Sequence, residues 1–174
     1  MNPQTDSGIG STAEELVITR VIDAPRDLVF KAWTGPAQLM RWWGPKGFTT
    51  PSVTIDLRIG DVFHYCMRSP EGQDYWGIGL YREIVPPERI VYTDAFAHAE
   101  GDRVLPSHYG MSASQPAESL VTVTLTEQQR KTTVTVRQTV LDVVEERTGM
   151  EQGWTEMLER LADEVAAVSS GETS

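Results

Sequence analysis

His64 and Cys66 stand two residues apart, and His98 and His108 share one long polar segment. Imidazole and thiolate are zinc ligands, but these spacings match no ligand set, and neither HExxH nor CxxC occurs. Ser107 and His108 are neighbours, yet no GxSxG elbow presents the serine. Cys66 would need an adjacent base and a lowered pKa to act as a nucleophile; as a small buried hydrophobe it needs neither. GxxxxGK[ST] does not occur, and Gly77-x-Gly79 lies inside a strand pattern, where it cannot cradle a phosphate. The residues therefore call for no metal, no cofactor and no catalytic set.

Aromatic and methionine side chains offer a different chemistry. Trp42, Trp43, Phe63, Tyr65, Trp76, Tyr92, Phe96, Trp154 and Met157, with Leu161 one turn further on, suit the lining of an apolar pocket. Asp94 and Gln138 fall on the inward side of otherwise apolar strands. A buried amide or carboxyl needs partners, and a ligand's polar group can supply one. Trp42 and Trp43 are adjacent in "LMRWWGPKGF", closed off by Gly44, Pro45 and Gly47, and each indole can bury roughly 150–250 Å². One is expected to pack inward and the other to close the pocket edge.

These residues need elements to hold them. "LVITRVI" (16–22) is a β-branched strand. "DAPRDLVFKAW" then reads as a helix with Asp23 or Ala24 as cap and Pro25 in the first turn. Thr34-Gly35-Pro36 ends it and starts a short helix from Ala37 to about Trp42. Six strand patterns follow: 52–59, 62–68, 75–85, 90–96, 119–127 and 131–141. Short turn sequences join most of them, implying an antiparallel meander with one buried face. Residues 97–118 form one long irregular segment, which suggests a lid or binding loop. The chain closes with a helix from about Val144 to Val168, with Met150, Trp154, Met157, Leu158, Leu161 and Val165 on one face and Glu156–Arg160 as an i,i+4 pair on the other. The fold class is α+β: a curved antiparallel sheet wrapped around a long C-terminal helix, two short helices after the first strand, and space between sheet and helix that side chains do not fill.

The 174 residues, 40% hydrophobic and 23% charged, suit one domain over 15–168, with a disordered lead-in (1–14) and tail (169–174). A net charge of -10 leaves no basic stripe for nucleic acid or anionic membranes. One cysteine forms no internal disulfide, and there is no apolar span or signal peptide, so a reducing, cytoplasmic setting is expected. Trp76, Ile78 and Leu80 against Tyr75 and Tyr81 make a strand apolar on both faces, a candidate homodimer surface.

Four stretches carry a family resemblance: "VIDAPRDLVFKAWTGPAQLMRWWGPKGFT", "IDLRIGDVFHYCMRSPEGQDYWGIGLYREIVPPERIVYT", "PSHYGMSASQPAESLVTVTLTE" and "EQGWTEMLERLA". In order and spacing they resemble the AHSA1-like group, whose namesake is the C-terminal domain of the activator of the Hsp90 ATPase, within the START/Bet v 1/polyketide-cyclase (SRPBCC) superfamily. The resemblance implies a helix-grip fold with a ligand cavity between sheet and C-terminal helix. The group's WWGP turn matches Trp42 to Pro45, its GW matches Gly153 and Trp154, and the histidine or glutamine common near the end of the last strand is Gln138. Relatives often carry a double glycine where this chain has Gly60-Asp61. The group shares no catalytic residues.

Three functions follow as expectations. The first is binding of a small hydrophobic or amphipathic molecule in a pocket of roughly 300 Å³ or more. The second is an enzyme of cyclase, dehydratase or hydrolase type in the same pocket, with Asp94, Tyr65, Tyr81 and His64 available for acid–base work. The third is a module that docks on an Hsp90-type chaperone, although the additional N-terminal domain of the Hsp90 activators has no counterpart in this sequence.

Overall fold

The computed structural model describes residues 14–110, 117–140 and 144–169. Strand β1 (Glu14–Ile22) is followed by helices α1 (Arg26–Thr34) and α2 (Pro36–Trp42). Strands β2 (Thr49–Ile55), β3 (Val62–Arg68), β4 (Asp74–Val85), β5 (Arg89–Ala97), β6 (Ser119–Gln128) and β7 (Lys131–Val140) lead to helix α3 (Val144–Ser169). Every pairing is antiparallel, and the sheet runs β1-β7-β6-β5-β4-β3-β2. The six later strands form the expected meander, and β1 closes against the last of them. This is the helix-grip α+β fold. The expected lead-in and tail fall almost wholly outside the described residues, but Glu14 already begins β1 and Ser169 still ends α3.

The local departures have physical reasons. Neither Asp23 nor Ala24 caps α1. The N-cap is Pro25, and the Arg26 N–H donates to Glu127 Oε1 at 3.0 Å, so the β6–β7 hairpin supplies the missing acceptor. Strand β2 stops at Ile55, not at 59. Beyond it Arg58 forks onto the Asp56 carboxylate at 2.9 and 2.8 Å, and Gly60, at φ +90°, donates its N–H to Tyr81 O. Only Gln129 and Arg130 join β6 to β7, both in the left-handed region, as a two-residue hairpin of this twist demands.

The concave face buries Ile90, Tyr92, Val121, Val123, Val134 and Val136. Against them pack Val29 and Trp33 of α1, Leu39 and Trp42 of α2, and Leu158, Leu161 and Val165 of α3. Strand β4 bends where it meets β5: a bulge after Tyr81 shifts the register and turns Ile84 onto the core.

Gly79 makes that bend possible. A Cβ there would lie 1.8 Å from the Thr93 carbonyl oxygen, a backbone atom that cannot yield. Gly79→Ala is therefore expected to cost about 3 kcal/mol or more in urea unfolding. A loss below about 1 kcal/mol, the ordinary effect of a mild substitution, contradicts this close approach.

Candidate functional site

The Trp-Trp turn is built from its backbone outward. Trp42 ends α2, and Trp43 is its C-cap, with its N–H on Leu39 O at 2.9 Å. The two indoles diverge at that boundary. Trp42 is fully buried, donates from Nε1 to Ala32 O at 3.0 Å, and meets Trp33 edge-on at 4.7 Å. Trp43 turns toward the sheet and stands edge-on to Phe63 (5.3 Å), Tyr65 (5.4 Å) and Trp154 (5.9 Å, 89°). Gly44, at φ +100°, then reverses the chain.

Arg160 of α3 fastens this turn. Its guanidinium donates to Gly44 O at 2.8 Å, Pro45 O at 3.1 Å, Trp43 O at 3.4 Å and Arg41 O at 3.3 Å. These are carbonyls that the end of α2 leaves without helical partners, and a cation suits that end of the dipole. The expected Glu156–Arg160 pair does not form. Glu156 instead accepts the Lys46 N–H at 3.0 Å and the Gln152 amide at 3.1 Å, fixing the same turn from its other side.

Across from the turn, the sheet supplies polar groups. Tyr65 on β3 pairs in register with Gly77 on β4, and Gly77 with Phe96 on β5. Because Gly77 has no side chain, the Tyr65 ring lies over it; a Cβ there would fall 2.3 Å from the phenol oxygen. The ring thus crosses β4 and donates its O–H to Asp94 Oδ1 at 2.9 Å. Burial pushes the Asp94 carboxyl up to about 7, against the downward pull of the Tyr65 hydroxyl and the Ala95 N–H. Burial also drives the Tyr65 phenol well above its ordinary value, helped by the neighbouring carboxyl. On β7 the buried Gln138 accepts the Trp154 indole N–H at 2.7 Å.

Between these walls lies an open cleft of about 150 Å³, lined by Trp43, Pro45, Tyr65, Met67, Asp94, Gln138, Met150, Gly153, Trp154 and Met157. It sits between sheet and C-terminal helix, but it is half the smallest size expected, because Trp43, Trp154 and the methionines occupy much of the space. Of the twelve residues singled out from sequence, it gathers Trp43, Tyr65, Asp94, Gln138, Trp154 and Met157. Trp42, Phe63, Tyr92 and Leu161 are core beneath it. Trp76 stacks on His64 at 5.0 Å, on the strand faces opposite Tyr65 and Gly77. Phe96 packs on Tyr109 at 5.6 Å, beyond the cleft. Met67, Met150, Gly153 and Pro45 were missed as lining, though Met67 shares the Phe63–Tyr65 face and Met150 lies one turn before Trp154.

The 97–118 segment is not one structureless loop over the cleft. Ala97 bridges Arg103, His98 O meets His64 Nε2 at 3.1 Å, and Gly101 approaches Ile78, so its first part folds over the outer face of β3 and β4. A 3-10 turn (Pro106–Tyr109) follows, and the Tyr109 hydroxyl caps the β4–β5 ladder at Ala97 O (2.5 Å) and Trp76 N (3.3 Å). Residues 111–116 lie outside the described part. Among the described residues no three His, Cys, Asp or Glu side chains converge as a metal site, and no helix is long and apolar enough to cross a membrane.

With the turn, the cleft and the helix-grip sheet in place, the profile of the family described as activator of Hsp90 ATPase homolog 1-like protein matches residues 23–166. The chain belongs to the AHSA1-like family. Among solved structures, a Chromobacterium violaceum protein is 27% identical, with TM-score 0.71 over 87% of this chain and 96% of its own. An AHSA1 protein of Silicibacter pomeroyi is 26% identical, with TM-score 0.70 over 88% and 98%. A Nitrosomonas europaea protein, 20% identical with TM-score 0.72 over 90% and 96%, shares the fold. No functionally curated protein matches the sequence.

In this AHSA1-like chain the Asp94 carboxyl has a consequence for stability. Its folded pKa of about 7 exceeds the ordinary aspartate value near 3.8, so the native state binds the extra proton between these values. Its contribution is then full below about pH 4, falls as pH rises toward 7, and is level above that. Asp94→Asn keeps an acceptor for Tyr65 and removes the ionisation. Relative to the wild type it is expected to gain about 4 kcal/mol on going from pH 4 to pH 8, read by urea unfolding at both values. An unchanged difference contradicts the raised pKa.

Proposed function

We propose that the protein binds a small amphipathic molecule in the cleft between the sheet and α3. The observation that carries this reading is an apolar hollow, walled by indoles and thioethers, that contains a carboxyl, a phenol and an amide. A protein that needed only a core would fill such space with hydrocarbon, because a buried carboxyl costs stability. The size restricts the occupant: a cavity of about 150 Å³ takes a molecule as large as benzene. The ligand is therefore a monocyclic or comparably compact compound, not a long lipid.

The hydrogen-bonded Tyr65–Asp94 pair favours a second reading, in which the same cleft carries out acid–base chemistry. A carboxyl with a pKa near neutrality can both accept and return a proton at working pH. Tyr65 is the one other acid–base candidate beside it. His64 lies on the other face of the sheet, and Tyr81 packs against Phe63 and Tyr92 in the core.

Gly153 provides the test. It lines the cleft, and a Cβ added there meets open space. In thermal unfolding with a panel of monocyclic compounds, a ligand at a hundredfold its dissociation constant is expected to stabilise the wild type by about 2.7 kcal/mol. Gly153→Leu is expected to be at least as stable as wild type without ligand, since it replaces a helical glycine worth about 1 kcal/mol, and to lose the ligand response. Stabilisation that persists in the filled variant places binding elsewhere and contradicts the proposal.

A further inference from the structure

The chemistry of the cleft also selects the sign of charge on its occupant. Resting on the ligand-binding reading, we infer that the cleft takes a small organic cation, its charge set against the Asp94 carboxylate in a wall of aromatic and methionine side chains. Trp43 and Trp154 meet at right angles, 5.9 Å apart, and Tyr65 stands 5.4 Å from Trp43. These rings meet edge to face and are almost wholly buried, so they wall the cleft as a packed apolar surface. Three methionine thioethers, Met67, Met150 and Met157, complete a soft, polarizable wall. Among the described residues the lining holds one acid and no basic side chain. An anion would therefore be repelled, whereas a cation supplies the counter-charge that the carboxyl lacks. The Gln138 amide nitrogen, which makes no hydrogen bond among the described residues, is free for an oxygen acceptor on the same molecule.

The surroundings point the same way. Beside the cleft, the outer ridge of α3 carries Glu151, Glu156 and Glu159 against Lys46, while the Arg160 guanidinium is taken up by the turn carbonyls. The chain as a whole carries -10, a field that gathers cations.

Binding is then coupled to a proton. The groups facing Asp94 are Tyr65 from β3 and Tyr92 from its own strand, both phenols raised by burial. β7 contributes Gln138, the α2–β2 turn Trp43 and Pro45, and α3 Met150, Gly153, Trp154 and Met157, none of which titrates. Only Asp94 in this set changes charge near pH 7. The cation requires the ionised carboxyl, so its affinity rises with pH through about 7 and levels off above it.

The test compares tetramethylammonium, tert-butanol and pivalate, compact probes that are positive, neutral and negative. Each is titrated by NMR on the tryptophan indole N–H signals at pH 6 and pH 8. The expected result is saturable binding of tetramethylammonium, tighter than either other probe, with affinity about tenfold higher at pH 8 than at pH 6. Asp94→Asn is expected to weaken the cation at least tenfold at pH 8 and to abolish the difference between pH 6 and pH 8. Tyr65→Phe removes a hydrogen bond that holds the carboxyl down, and is expected to move the pH profile upward. Binding of tert-butanol or pivalate as tight as the cation, in a form lost with Gly153→Leu, overturns the charge preference and leaves the cleft reading standing. Tetramethylammonium binding that survives Gly153→Leu or Asp94→Asn also overturns the inference. If no probe binds, both readings fall.

Discussion

A sheet of seven strands is too wide for the helix it grips. At about 4.8 Å per strand its concave face spans roughly 30 Å, while one helix covers about 10–12 Å. The remainder is roofed by α1, by α2 and by the Trp-Trp turn, which Arg160 reaches from α3 through the carbonyls of residues 41, 43, 44 and 45. That fastening joins the roof to the helix. Together with the Thr50 hydroxyl on Trp43 O and Glu156 on the Lys46 N–H, it fixes the height of Trp43 above Phe63 and Tyr65 and so the width of the cleft. The hollow is what is left where roof and helix fail to meet.

The same mismatch explains why polar groups survive there. Behind α3 the sheet is sealed by Val, Leu and Ile, and a carboxyl would have no partner. At the cleft, Gly77 makes room for the Tyr65 ring to reach Asp94, and Gln138 takes the Trp154 N–H. Each polar group is held by a neighbour whose own position depends on packing, so the site is as rigid as the core around it. Related structures at 20–27% identity share the scaffold. Function on such a scaffold is read from the residues of the hollow and not from the fold.

The architecture was legible because its signals are local. Alternation in "SLVTVTLTE" and "KTTVTVRQTVL", turn residues between strands, and the 3–4 spacing from Met150 to Val165 each declare an element without reference to the rest. The site was half legible, and its errors share one cause. Strand alternation says that Trp76 and Tyr75 face opposite ways but not which of them faces the core. The bulge after Tyr81 and the glycines at 77 and 79 decide that, through contacts with β3 and β5. Phe96 lies on the right face but too far along it. Arg160 looked like a partner for Glu156, since i,i+4 spacing is visible in sequence, whereas the carbonyls it prefers are more than a hundred residues away. The Tyr65–Asp94 bond likewise spans a strand and needs an absent side chain between its partners, something no pattern in either strand announces.

The site depends on the Asp94 carboxyl, which stands in the wall of an unfilled cleft. The most direct measurement is the carbon-13 NMR titration of the Asp94 side-chain carboxyl in the unliganded protein. A midpoint near 7 is predicted from its burial. A midpoint near 4 would mean that water reaches the group freely, and that the cleft is only a groove in the surface.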